Sequence, residues 1–413
     1  MLYPRFITSN ILTALKDTPV IMLTGARQTG KTTLVRKIAE EHHPATYFTL
    51  DDLTRRGAAQ SDPKGFLEQV SGPIIIDEIQ LAPELLSAIK IEVDHNRKPG
   101  RFIITGSANV LTLPRVSESL AGRMEIFTLF PLSQGELISR QEGFIDWIFE
   151  EKLDIAKLKP VSSGNIWEQV VAGGYPEAIA RTDVERRQAW FRDYTTTILQ
   201  RDIRDLARIN GITQMPRLLE LLATRTATLL NVAEISRSIK MPQTSLKCYL
   251  ALFEATYLIF QLPAWSGNIG KKILKTPKLF FVDSGLVAFL SGIDLDLIQQ
   301  KPREAGQLFE NFVLTELVKQ AQWSKIRPHF FHFRSQTNQQ VDFILEDRQR
   351  RWVGIEVKAA KTIRPNDFNG LRWLKNQMGT QFLRGIVIYC GSEIVPFGDN
   401  LLAMPVDKLW QSV

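Results

Sequence analysis

The segment Gly25-Ala26-Arg27-Gln28-Thr29-Gly30-Lys31-Thr32 restricts this chain more than any other stretch of its 413 residues. It fits the pattern G-x-x-x-x-G-K-[ST]. The apolar run Val20-Ile21-Met22-Leu23 precedes it, and Thr32-Thr33-Leu34-Val35-Arg36-Lys37-Ile38 follows with helical spacing. That strand–loop–helix context is what the pattern needs before it can be read as a phosphate loop. Gly25 and Gly30 let the backbone turn its N–H groups onto phosphate oxygens, at a helix N-terminus whose dipole favours negative charge. Residues Gly25 to Thr33 therefore form a candidate nucleotide cradle. Lys31 is placed to reach the β- and γ-phosphates, and Thr32 to offer its hydroxyl to Mg²⁺, so ATP with Mg²⁺ is the expected ligand. The alternative is an accidental glycine-rich turn before a helix.

A second segment argues against accident. Gly72-Pro73-Ile74-Ile75-Ile76-Asp77-Glu78 is a short apolar run of the kind found in strands buried on both faces of a parallel sheet. Two carboxylates at its C-terminal end fall where open α/β sheets bind ligands. Asp77 is the candidate Mg²⁺ partner, direct or through water. Glu78 is the candidate group that orients and deprotonates the attacking water.

With 44% hydrophobic and 23% charged residues, the chain is neither disordered nor fibrous, and its length calls for two to four domains. No apolar stretch approaches the ~18–20 residues that span a bilayer, and Met1-Leu2-Tyr3-Pro4-Arg5 does not begin a signal peptide, so a cytoplasmic protein without a membrane partner is expected. Cys248 and Cys390 stand in apolar sequence, which predicts buried thiols rather than a disulfide. Five histidines without a Cys/His cluster argue against a zinc site. The net charge of +7 is uneven: residues 211–285 hold nine Lys/Arg against four Asp/Glu. That local surplus predicts a polyanionic partner, with plain solvation as the alternative.

Strand candidates at 20–24, 46–50, 73–77, 101–105 and 124–129 alternate with helical segments, as in a doubly wound sheet. The fourth ends in Thr105-Gly106-Ser107, and Ser107 is a candidate phosphate-sensing hydroxyl. Leu120-Ala121-Gly122-Arg123 precedes the fifth. Together these features resemble the AAA-type ATPases over residues 20–130. The resemblance implies that an arginine before the last core strand reaches a neighbouring subunit's γ-phosphate. Arg123 is the candidate finger, Arg115 its rival, and a homo-oligomer, ring or partial ring, follows. A helical lid is then expected over residues 133–210. Where many such lids carry Gly-x-Pro-Arg, this chain reads Gly174-Tyr175-Pro176-Glu177, so no second sensing arginine is assigned.

Residues 211–290 read as a winged helix. Leu218, Leu219, Leu221 and Leu222 mark one helix, Asn231 to Ile239 a capped second, and Met241-Pro242-Gln243-Thr244 a turn. Leu246, Tyr249, Leu250 and Phe253 then follow at core spacing, before the strand pair 259–263 and 278–282. Lys247 on the second of the paired helices, and Lys271, Lys272 and Lys275 on the strand connection, are candidate DNA contacts. Winged helices also hold proteins, which is the competing reading.

Residues 303–413 contain a third constellation. Gln307-Leu308-Phe309-Glu310 opens a helix, Gln340-Val341-Asp342-Phe343 alternates as a strand, and Gly354-Ile355-Glu356-Val357-Lys358 follows. Alternation puts Glu356 and Lys358 on one face. If Asp342 faces them, the group holds one or two Mg²⁺ ligands and a lysine. This resembles the Asp…Glu-x-Lys signature of restriction-endonuclease-like nucleases, with Glu310 in the place of their helical acid. In the other reading, Lys358 neutralises the acids as an ion network without metal.

The chain as a whole resembles a prokaryotic group of AAA-type P-loop ATPases with a C-terminal domain of unknown function. The implied architecture is α/β: an AAA-type P-loop core at 1–132, the lid, the winged helix and a C-terminal α/β restriction-endonuclease-like domain. The function it implies is an ATP-hydrolysing protein that acts on DNA. The alternative is an ATP-dependent switch whose C-terminal domains hold a protein partner.

Overall fold

In a computed structural model, the described residues are 2–107, 120–155, 164–203, 212–265, 276–335 and 339–411. They divide into two units, one of residues 5–132 with 252–258, the other of 1–4, 133–251 and 259–413.

The first unit is built on five parallel strands: β1 (Val20–Thr24), β2 (Thr46–Thr49), β3 (Ile74–Asp77), β4 (Phe102–Gly106) and β5 (Met124–Thr128), in the order β2-β3-β4-β1-β5. Each ran as the sequence predicted to within a residue. β1, β3 and β4 are buried throughout, because both faces of the sheet are covered. Side-chain alternation splits their residues between two cores. Val20, Met22, Ile74, Ile76, Phe102 and Ile104 pack with helix α2 (Leu85–His95) through Leu85, Leu86, Ile89 and Val93. Ile21, Leu23, Ile75 and Ile103 pack with helix α1 (Lys31–Glu41) through Leu34, Val35 and Ile38. Burying each such side chain contributes about 1.5–3 kcal/mol. The register aligns Thr24 with Gly106 and with Thr128, so the strands end together and present one edge to a ligand.

The second unit begins with helices. Asn165 caps α3 (Ile166–Ala172) and Asp183 caps α4 (Val184–Thr197). The Gly173-Gly174-Tyr175-Pro176 stretch between them is a packing element. Asp283 accepts the Gly174 N–H at 2.6 Å, and a side chain at Gly173 would strike the same carboxylate. Tyr175, fully buried, shares a 2.9 Å hydroxyl contact with Tyr194. Next come α5 (Met215–Ala223), α6 (Val232–Ile239, capped by Asn231) and α7 (Gln243–Ala255). Lys240 ends α6 in the left-handed conformation. Strands β6 (Thr228–Leu229), β7 (Ile259–Leu262) and β8 (Lys278–Phe281) form an antiparallel sheet with β8 in the centre. Asp283 also caps α8 (Ser284–Ser291).

A longer helix, α9 (Pro302–Ala321), starts ahead of the predicted point, because Pro302 suits a first helical turn. Six strands then form a mixed sheet: β9 (His329–Arg334), β10 (Gln340–Glu346), β11 (Trp352–Lys358), β12 (Phe382–Tyr389), β13 (Val395–Pro396) and β14 (Leu401–Pro405), ordered β13-β14-β12-β11-β10-β9. Helix α10 (Asn369–Met378) covers one face with Leu371, Leu374 and Met378 against Val341, Ile344 and Val387.

The cysteine expectation fails at Cys248, which is exposed. On α7 Leu246, Tyr249, Leu250 and Phe253 form a buried stripe, and residue 248 falls on the opposite side of the helix from it. Among the described residues no helix is long and apolar enough to cross a membrane.

Buried Glu142 gives the second unit a pH dependence. Burial pushes its carboxyl up to about 8, and Glu316 and Glu136 nearby add to the effect. The Gly135 N–H donates to it at 2.8 Å. The folded chain thus keeps a proton that the unfolded chain releases near the ordinary glutamate range of about 4.3. This stabilisation is complete below that range and is lost as pH rises through about 8. Glu142→Gln should remove up to about 1.4 kcal/mol per pH unit of slope over that interval. Identical slopes in urea unfolding of parent and variant from pH 5 to 8 would show that Glu142 is ionised in the fold.

Candidate nucleotide site and a buried charge cluster

Gly30 precedes α1 at φ 93°, and Gln28 (φ 63°) and Gly25 (φ 140°) give the loop its left-handed turns. A side chain at Gly25 would meet the Leu129 carbonyl oxygen at 2.3 Å, so glycine is required there. Lys31 is only 5% exposed, and its ammonium donates to the carbonyls of Gly25 and Ala26, each at 2.9 Å. The Thr29 hydroxyl donates to the Ala26 carbonyl at 2.9 Å. The ammonium is therefore held inside the loop, where an anionic phosphate would be a stronger acceptor than these neutral carbonyls.

Asp77 ends β3 as the hub of a hydroxyl network. Its Oδ2 accepts the Thr32 hydroxyl at 2.8 Å and the Tyr47 hydroxyl at 2.6 Å, and its Oδ1 accepts the Thr105 hydroxyl. Thr105 in turn accepts the Glu78 N–H at 3.1 Å. Glu78 sits in the left-handed region at φ 62°, a conformation that costs a non-glycine residue about 1–3 kcal/mol. Gln80 donates to the Glu78 carboxylate and, at 3.1 Å, to Ser107. Burial and the neighbouring Asp77 carboxylate push the Tyr47 hydroxyl up to about 12, so it stays a donor. Tyr47 and Gln80 had no signal in the sequence beyond their nearness to strand ends. Thr32, Asp77, Glu78 and Ser107 are brought to one edge.

Arg123 stands elsewhere. It immediately precedes β5, whose first residue Met124 aligns with Val20, so it lies at the edge opposite the phosphate loop. A five-residue strand spans roughly 15 Å. Its guanidinium donates to Asp94 and holds that carboxyl below the usual range. Arg115 lies outside the described residues, as do Lys271, Lys272 and Lys275. Lys247 is exposed on α7.

The acids of the C-terminal region do converge. The neighbouring antiparallel strands β10 and β11 bring Asp342 and Glu356 together, and Lys358 Nζ donates to Glu356 at 3.3 Å. Between Val341 and Ile344, the stretch that carries Asp342, the pairing of β10 with β9 shifts register. Asp342 Oδ2 accepts the Val357 N–H at 3.0 Å. Glu310, in mid-α9, completes the group. The cation between them is one the sequence reading placed in the basic surplus: Lys278, at the start of β8. Its ammonium lies 2.7 Å from Glu310 and 3.2 Å from Asp342. Arg225 is likewise taken up, 2.6 Å from Glu234. Among the described residues of that basic surplus, Lys278 and Arg225 are therefore paired within the chain, which lowers the charge free for a polyanion.

Burial, and then the Asp342 charge, push the Glu356 carboxyl well above its ordinary range, while Lys278 and Lys358 hold Asp342 below its own. Burial and Asp342 push Glu310 up to about 7. Among the described residues no group of three or more His, Cys, Asp or Glu side chains is arranged to hold a metal ion.

Comparison with known proteins gives three matched regions. Residues 17–138 match an AAA domain, 163–297 a domain of unknown function (DUF8612) and 305–409 another (DUF4143). Two curated relatives, uncharacterized protein Rv2008c of Mycobacterium tuberculosis and uncharacterized protein Mb2031c of Mycobacterium bovis, are each 31% identical over 400 residues, 96% of this chain and 82% of theirs. Among solved structures, a Walker-type ATPase of Pyrococcus abyssi aligns with 70% of this chain and 96% of its own at 15% identity and a TM-score of 0.40. AMPPCP-bound DnaA of Aquifex aeolicus aligns with 60% and 86% at 15% identity and a TM-score of 0.27. Superpositions this loose carry no inference about the present chain.

Proposed function

This chain belongs to the family of the two mycobacterial relatives and carries an AAA-type P-loop ATPase domain, and we propose that it hydrolyses ATP to drive an action on DNA. The observation that carries the ATP half is the edge on which Lys31, Thr32, Asp77 and Glu78 meet, with Thr32 and Asp77 already 2.8 Å apart. Those two oxygens suit the Mg²⁺ that accompanies ATP, which would neutralise phosphate charge there. Lys31 binds the phosphates, and Glu78, steadied by Gln80, orients and deprotonates the attacking water. Arg123 faces away from its own loop, so its role as a finger requires a second copy of the chain, in a ring or partial ring.

For the DNA half, the support is the succession of α6, a tight turn, α7 and the β7–β8 pair, a winged-helix order with Lys247 exposed on α7. On this reading the ATPase core occupies 1–132, a lid 133–210, the winged helix 211–290 and a nuclease-like domain 303–413. The internal pairing of Lys278 and Arg225 favours the second reading, a switch that holds a protein partner. ATPase rate and DNA affinity across duplex, forked and four-way substrates separate the two. Stimulation by DNA, with affinity falling steeply between 50 and 200 mM salt, is the expected result. Neither stimulation nor binding at 50 mM salt would leave the partner-binding switch.

A further inference from the structure

We propose that Lys278 is the resident cation of the Glu310–Asp342–Glu356 cluster, so that a divalent ion enters only by displacing it. This holds whether or not the domain cuts DNA. The resemblance to nucleases directs attention to metal at these acids, but the donor set does not fit a resident metal. Both Asp342 oxygens are engaged, one by the Val357 N–H and one by the Lys278 ammonium. Glu310 gives its nearer oxygen to the same ammonium.

Lys278 is not a stray surface side chain that happens to lean inward. Its side chain is 11% exposed, and its strand is the centre of a three-stranded sheet. The residue beside Glu310 fastens that strand. Asn311, fully buried, accepts the Phe281 N–H at 2.9 Å and donates to the Phe281 carbonyl at 3.1 Å. The Thr226 hydroxyl holds the same amide at 2.7 Å. The Phe280 ring lies 6.0 Å from that of Phe343, the residue next to Asp342, tilted by 60°. One turn of α9 thus supplies both the acceptor for the ammonium and the clamp that fixes the strand carrying it.

The charge balance agrees. Three carboxyl groups face two ammonium groups, with Lys278 against Glu310 and Asp342 and Lys358 against Glu356. Cations already in contact with the acids leave a divalent ion little net charge to attract it. Displacing Lys278 would also strand a buried ammonium without a partner, which is strongly unfavourable.

The test uses the full, nucleotide-free chain titrated with Mn²⁺ alone by calorimetry. The phosphate loop is identical in all variants, so its contribution cancels. Lys278→Met keeps the length of the side chain and removes its charge. It should bind Mn²⁺ at least about tenfold more tightly than the parent, the scale of a site freed from a competing cation. Adding Asp342→Asn should abolish that gain. Equal Mn²⁺ affinity in parent and Lys278→Met overturns the proposal, as does a gain that survives Asp342→Asn. Should Lys278→Met fail to fold in metal-free buffer, circular dichroism during refolding decides. Recovery with Mn²⁺, but not with NaCl of equal ionic strength, is the expected result, and no recovery with Mn²⁺ overturns it.

Discussion

Lys31→Ala is expected to lose ATP binding, and Glu78→Gln to bind ATP normally while hydrolysing it about 10²–10⁴-fold more slowly. The two substitutions act on different terms. Lys31 is held in the loop by two backbone carbonyls, so its removal takes away a positioned positive charge without disturbing α1. Glu78 touches Gln80 and the Thr105 hydroxyl but no phosphate-loop residue in that network, so the amide should leave the loop intact. Equilibrium binding of a fluorescent ATP analogue, beside steady-state turnover, reads both. Undiminished turnover in Glu78→Gln would remove that residue from its role. The same assay examines Arg123. Alone, Arg123→Ala should bind ATP and turn over slowly, and mixing it with Glu78→Gln subunits should give activity that depends on their ratio. A chain that stays monomeric with ATP and still turns over would exclude a finger acting between copies.

Asp342→Ala should destabilise the second unit by about 3–5 kcal/mol, whereas Glu356→Gln should change it by less than about 1 kcal/mol. Removing Asp342 leaves the Lys278 ammonium with Glu310 alone and the Val357 N–H without its acceptor, all in a buried setting. Burial and then the Asp342 charge push the Glu356 carboxyl up, so the fold favours its neutral form and an amide replaces it at small cost. Urea unfolding in EDTA, followed by a signal from the second unit, compares them. Equal losses would show that Glu356 is ionised and shares the burden of balancing the lysines. A large loss on adding EDTA to the parent would mean that a metal, not Lys278, holds the acids.

The nucleotide edge was legible in the linear order because its parts are local. A strand, a glycine turn and a helix start lie within 20–38, and Asp77 and Glu78 directly follow the buried run that positions them. Period-2 and period-3.6 patterns mark such elements without reference to the rest of the chain. Alternation along β11 was readable for the same reason and puts Glu356 and Lys358 on one face of a single strand, whereas Asp342 opposite them was a condition that the β10–β11 pairing meets. The ligand class of that cluster was not readable, and both a metal and an ion network remained open. Three long-range facts decide what surrounds the acids: a register shift beside Asp342, a strand that begins at Lys278, and an asparagine on α9 that locks that strand in register. Each depends on which segments become neighbours. In a list of charges Lys278 counts as one more surface lysine, since burial, not identity, separates a solvated ammonium from a structural cation. Tyr47 follows the same logic, being an aromatic on an outer strand until β2 pairs with β3 and brings its hydroxyl to Asp77. The sequence by itself determined the phosphate loop, the strand order's raw material and the acids. Tertiary structure alone decided what each acid holds, because the partner of a buried charge is chosen by proximity across the fold and not by spacing along it.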